Sequence, residues 1–254
     1  MKEQPPRSLL GIPIPTGSRN DILETILKDA FHRHPFALVM SLNPEIFIIA
    51  QKNAHFRRVV QASKYLLVDG SGVAIAARIM GIRGVRRYAG VDFMSDVLKV
   101  AQDRRLRVML IGGRGNLAER IADCYSKEYP RLEIIGLTGI ENILQPTAEE
   151  EERIFSIVAD REPHIVFIAF GSPAQELWAY KNRARFGNTA CAGVGGAFDF
   201  LAGETPRAPQ WMRRAGLEWL FRLVRQPRRW KRQLKLVQFI CMIIKARLGF
   251  TSKS

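Results

Sequence analysis

Short, unbroken apolar runs alternate with stretches of helical spacing along this chain, and that alternation restricts its fold class. Residues 36–41, 65–69, 107–112 and 164–170 each read as a strand, and 132–137 and 189–194 as two more. A strand with one wet face alternates apolar and polar residues, so an unbroken apolar run predicts cover on both faces. Between the runs, helical spacing covers 44–62, 72–80, 92–103, a stretch ending at Tyr129, 147–161 and a segment opened by Pro173. Pro44 suits a first helical turn, where its missing N–H would be unpaired anyway. Acids at the start of 147–161 suit the positive end of the helix dipole. Strands and covering helices in alternation predict an α/β fold with a mostly parallel sheet flanked by helices. At 254 residues, the chain is long enough to bury roughly three-quarters of its surface around its own core.

Ligands of such sheets bind beyond the carboxyl ends of the strands. That rule selects Ser41, Asn43, Asp69, Gly70, Gly112, Gly113, residues 171–175, Gly195 and Gly196. Asp69 stands between a strand and Gly70-Ser71-Gly72, where a carboxylate can reach a sugar hydroxyl and take its proton. The competing reading is a cap for the next helix. Gly112-Gly113-Arg114-Gly115 exposes backbone N–H groups suited to a phosphate. It matches neither GxGxxG nor GxxxxGKS, and an ordinary turn explains it equally. Arg83, Arg86 and Arg87 stand in a loop before Asp92, where guanidiniums either neutralise a diphosphate leaving group or simply meet solvent. The nine aspartates form no DxD pair, and His32, His34, His55 and His164 have no HExxH-type spacing. No zinc site is therefore expected, and a loosely held magnesium stays open because it needs few protein ligands. His32 and His34 read as lying at a helix end and His164 as structural.

The charge is unevenly placed. Lys and Arg total 39 against 24 acids, a net of +15. Residues 204–254 hold 13 basic and 2 acidic side chains, and the first 203 hold 26 and 22. The anionic partner implied by such a field therefore belongs to the tail. There Trp211, Leu217, Trp219, Leu220, Leu223 and Val224 interleave with Arg213, Arg214, Arg222, Arg225, Arg228, Arg229, Lys231 and Arg232, and Pro227 interrupts the helix. Apolar and basic side chains so mixed suit an interfacial helix on anionic lipid. Nucleic acid is the weaker alternative, because no zinc-finger or RRM signature is present, and a partner protein is a third. The division expected is a body, 1–203, and a basic amphipathic appendage, 204–254. Cys124, Cys191 and Cys241 stand far apart, which argues against a disulfide framework and fits a reducing compartment. No signal-peptide core and no run of about 20 apolar residues occurs, so a cytoplasmic protein is expected.

Several segments together resemble the WecG/TagA/CpsF glycosyltransferases. They are Val68-Asp-Gly-Ser-Gly-Val, Arg87-Tyr-Ala-Gly-Val-Asp-Phe-Met, Phe170-Gly-Ser-Pro-Ala-Gln-Glu-Leu-Trp and Gly193-Val-Gly-Gly-Ala-Phe-Asp-Phe-Leu-Ala-Gly. Arg207-Ala-Pro-Gln-Trp-Met, Gly216-Leu-Glu-Trp-Leu-Phe-Arg-Leu and Gln226-Pro-Arg-Arg continue the likeness in order. The resemblance implies a Rossmann-like sheet and a helical C-terminal appendage that engages the membrane. It implies inverting transfer of a sugar from a UDP-linked donor to a saccharide on polyprenyl diphosphate, for a bacterial cell-surface polysaccharide. Donors of the N-acetylmannosamine, N-acetylmannosaminuronic acid or glucose type are expected, and no cofactor. The place expected is the inner face of the cell membrane, with a homo-oligomer left open. By the same resemblance Asp69 is the base and Asn43, Arg87 and Gln175 are substrate-site residues; with the strand-end residues Ser41, Gly112, Gly113, Gly195 and Gly196, and with Asp92, they make up the expected substrate site. Arg222, Arg225 and Arg228 would meet the acceptor's phosphates. Ser41 stands where threonine is common, Ala174 where lysine is common, and Val68 where proline is common. Tyr88-Ala89 replaces a smaller pattern. These departures bear on the donor's identity. A non-catalytic membrane-surface scaffold is the alternative function.

Overall fold

The computed structural model describes residues 7–225, 227 and 230–248. A short pair, β1 (Ser8–Leu9) and β2 (Ile12–Pro13), leads to α1 (Arg19–Phe31), β3 (Ala37–Leu42), α2 (Pro44–Lys52) and α3 (Ala54–Ala62). Next come β4 (Tyr65–Val68), α4 (Ser71–Ile79), α5 (Gly90–Ala101), β5 (Val108–Gly112), α6 (Leu117–Glu128) and β6 (Ile134–Leu137). The body ends with α7 (Ala148–Arg161), β7 (Ile165–Ala169), α8 (Ala174–Lys181), α9 (Arg183–Phe186), β8 (Ala190–Gly193) and α10 (Ala197–Leu201). The tail forms α11 (Gln210–Arg214), α12 (Glu218–Arg225) and α13 (Trp230–Arg247).

Six strands make one sheet in the order β4-β3-β8-β7-β5-β6, and every neighbouring pair is parallel. The unbroken apolar runs now have their reason. Leu38, Met40, Met109, Ile111, Val166 and Ile168 face one helical layer with Phe47, Phe56, Phe155 and Trp178. Val39, Val108, Leu110, Ile165 and Phe167 face the other, with Ile26, Phe93, Val97 and Phe198. Alternate residues of one strand thus enter opposite cores.

Two expectations change in detail. The helical spacing over 44–62 is two helices, because Asn53 leaves helical geometry and its side chain accepts from the Phe56 N–H to cap α3. The tail is broken between α12 and α13, around Pro227, yet α13 is no loose surface helix. It packs on α2 and α4, with Phe239 and Ile243 fully buried and Phe239 at 5.1 Å from the Phe47 ring. Lys235 pairs with Glu45 at the start of α2. No described helix is long and apolar enough to cross a membrane.

Candidate active site

Two cavities meet at Asp69, over the carboxyl ends of β4, β3, β8 and β7. The first, of about 160 Å³, is lined by Ser41, Asn43, Asp69, Gly171, Ser172, Gln175, the Gly193–Gly196 turn, Asp199, Thr205 and Arg222. The second, of about 200 Å³, is lined by Asn43, Glu45, Asp69, the turn 70–72, Arg87, Glu218, Trp219, Arg222 and Leu236. One is floored by polar turns, and the other reaches apolar side chains of the tail.

Asp69 does not cap α4. Gly70 occupies the cap position, at φ 94°, and no side chain bonds the cap. The Asp69 carboxylate instead accepts from the Gly90 N–H. Burial pushes its pKa above the ordinary carboxylate range, while Arg222 and Arg87 pull the other way. Gly90 has a steric reason as well: a Cβ there would stand 2.9 Å from Ser41 Oγ.

Asn43 serves two purposes. Its Oδ1 caps α2 by accepting from the Glu45 and Ile46 N–H groups, which turns the rest of the amide toward the cavities. Gln175 is fixed at both ends of its amide. Oε1 accepts from Gly171 N–H at 3.0 Å, and Nε2 donates to Glu176 Oε1 at 2.7 Å. Glu176 also accepts from Ser172 Oγ, and burial raises its pKa. Gly193 must be glycine here, because a Cβ would lie 2.7 Å from Gln175 Nε2 and 2.8 Å from Glu176 Oε1.

The tail completes the second cavity. Glu218, buried in α12, accepts from Arg87 Nη2 at 2.5 Å and from Arg222 Nη2 at 2.7 Å. The paired arginines hold its carboxyl below the ordinary range although burial opposes them. Arg222 also lies over the Phe200 ring at 4.5 Å. The Nε atoms of Arg87 and Arg222 are buried with no hydrogen-bond partner among the described residues.

Not every expected residue joins this centre. Asp92 bonds Arg207 at 2.5 Å and lines a separate cavity with Arg19, Arg86, Arg87 and Arg213. Gly112 and Gly113 line neither cavity at Asp69. They adopt positive φ and pack against Phe170 and against Leu117 and Phe198, and the Gly113 N–H is spent on Ala169 O. Arg225 is exposed, over the Phe221 ring at 5.4 Å, and Arg228 lies outside the described residues. His164 is structural as expected: its Nδ1 accepts from the Arg107 N–H at 3.0 Å. Glu45, Asp199 and Glu218 were not singled out from the sequence. Glu218 carried a signal, as one of only two acids in the basic tail. Among the described residues no group of three or more His, Cys, Asp or Glu could hold a metal ion.

Comparison with known proteins identifies relatives of this chain. Over 234 residues the chain is 30% identical to a Bacillus subtilis protein named N-acetylglucosaminyldiphosphoundecaprenol N-acetyl-beta-D-mannosaminyltransferase, covering 92% of this chain and 89% of that one. Proteins of the same name from Bacillus spizizenii and Staphylococcus aureus are 29% and 26% identical over 82% of this chain, and 79% and 80% of theirs. Residues 7–253 match the description "Glycosyl transferase WecG/TagA/CpsF family", and the chain belongs to that family.

Proposed function

We propose that this protein moves a sugar from a UDP-linked donor to a saccharide carried on polyprenyl diphosphate, with inversion at the anomeric carbon. The observation that carries the reading is the meeting of two cavities at one buried carboxylate, Asp69. The donor takes the cavity of polar turns, where Ser41, Gln175, Gly195 and Gly196 offer hydroxyl, amide and backbone groups. The acceptor takes the cavity that leads past Trp219 and Leu236 toward the tail. Asp69 accepts the proton of the acceptor hydroxyl as its oxygen attacks the anomeric carbon. The carbon–oxygen bond to UDP breaks on the opposite side, which inverts the centre. Arg222, which lines both cavities, stabilises the charge that develops on the departing diphosphate, and Arg87 stands beside it on the shared Glu218 carboxylate. Holding both substrates in one water-poor space supplies the remaining advantage.

An N-acetylmannosamine-type donor and an acceptor bearing N-acetylglucosamine fit the names of the relatives. The products would feed a bacterial cell-surface polymer. Residues 204–254 act as an appendage that seats the protein on the inner face of the membrane, with the exposed Arg225 toward lipid phosphate. The test is UDP release from a panel of UDP-sugars, with and without a short-chain polyprenyl-diphosphate saccharide. Acceptor-dependent release that vanishes in Asp69→Asn is the expected result. A folded protein that releases no UDP with any donor would favour the scaffold reading.

A further inference from the structure

Glu218 is a carboxylate buried in the most basic part of the chain, and the transfer chemistry gives it no direct task. Each of its oxygens holds one guanidinium, Oε2 that of Arg87 and Oε1 that of Arg222. Arg207 adds a third at 3.9 Å. Arg87 belongs to the loop before α5 and Arg222 to α12, so one side chain ties the tail to the body at the mouth of the Asp69 cavity. Among the described residues neither guanidinium is hydrogen-bonded to Asp69. That separation matters, because a carboxylate clamped directly by two guanidiniums is a weak base.

We propose that Glu218 is a positioning residue: it fixes Arg87 and Arg222 beside Asp69 and takes up part of their charge, so that Asp69 is left free to accept the acceptor's proton. This rests on the reading of Asp69 as the base. The two arginines have second anchors that would keep them in place without the Glu218 charge. Arg87 Nη1 donates to the Arg213 carbonyl at 3.3 Å, and Arg222 rests on Phe200. The other charged groups on the two cavities are Glu45, paired with Lys235, and Asp199. Removing the charge of Glu218 therefore leaves Asp69 facing two uncompensated cations. Its proton would then be lost at lower pH.

The experiment uses the full chain with Glu218→Gln and Glu218→Asp. It reads the pH dependence of kcat/KM and, separately, the ¹³C carboxyl titration of Asp69. For Glu218→Gln the acid limb and the Asp69 midpoint should both move down by about one pH unit. The plateau of kcat/KM should fall about tenfold, as expected of a weaker and less well aligned base. Glu218→Asp keeps the charge but is too short to span both guanidiniums, so its shift should be smaller and in the same direction. It carries the test alone should Glu218→Gln unfold. An Asp69 midpoint that stays put or moves up in folded variants would overturn the proposal. The titration needs no turnover. A wild type that transfers no sugar would thus defeat the transfer reading and leave the clamp separately measured.

Discussion

Replacing Asp69 by Asn separates its proposed chemical role from its structural one. A lost general base costs about 10²–10⁴-fold in turnover, and UDP binding, measured by calorimetry, should survive. Burial raises the Asp69 pKa, so folding binds a proton that the unfolded chain would release. The wild type must then lose stability as pH rises from the unfolded carboxylate value through the folded one. Asn does not titrate. Thermal unfolding across pH should show Asp69→Asn melting higher above that window, and the gap closing below it. His164 gives the opposite slope. Burial, with Arg107 and Arg33 nearby, lowers its pKa from 6.5 to about 4. Stability should therefore fall as pH drops from 6.5 toward 4, and His164→Asn, which does not titrate in that range, should lack this slope in urea titrations. The sequence made Ser41, Asn43, Asp69, Gln175, Gly195 and Gly196 legible because strand-end chemistry follows from strand position alone. It selected Gly112 and Gly113 by the same rule, but β5 lies beyond β7 in the sheet, so its end stands farther along the same edge from Asp69 and lines neither cavity there. Glu218 could not be paired with Arg87 from the sequence, since only the folded tail brings together residues 131 positions apart.

At the scale of elements, the strands were legible because unbroken apolar runs have few other uses in a chain of this composition. The break at Asn53 was not, since apolar spacing continues across it and only the side-chain cap decides. The tail helices show the same limit. Their composition suits a surface, yet α13 sends Phe239 and Ile243 into the core and leaves Leu234, Val237, Ile240 and Ile244 exposed, with Leu248 just past its end. A helix apolar on two faces reads from sequence as simply apolar and basic. Phe239→Ala should cost about 3–5 kcal/mol if the helix stays docked, or release α13 if it does not. Limited proteolysis with circular dichroism distinguishes these outcomes: early cleavage after residue 229 with the sheet signal retained marks release. Release should also slow transfer, because Phe239 packs on Phe47 of α2, whose first turn Asn43 caps beside Asp69.

At the scale of the whole molecule, exposed apolar surface gathers on the segment that the sequence makes most basic. Ile75 and Ile79 of α4 are exposed, α4 packs beside α13, and α13 adds its own outward apolar stripe. The residues that make the stripe recur at helical spacing, so they form one face. The tail around them holds most of the chain's excess positive charge. Lipid would serve this arrangement twice, through apolar burial in the head-group boundary and through attraction to anionic phosphate. Vesicle co-sedimentation should therefore show binding to vesicles rich in anionic lipid and weak binding to zwitterionic ones. Salt should weaken the anionic case, since a shorter Debye length screens exposed charge. Val237→Asp combined with Ile244→Asp should abolish binding with an unchanged melting temperature, because both side chains already face outward. UDP binding should be untouched. Binding by that double variant equal to the wild type would place the lipid contact on another surface, and equal binding to both kinds of vesicle would remove charge from the argument. The cavity proposed for the acceptor ends at Trp219 of α12 and Leu236 of α13. On the proposed reading, a protein seated by this face would meet its lipid-linked substrate with Asp69 beside the hydroxyl whose proton it is proposed to accept.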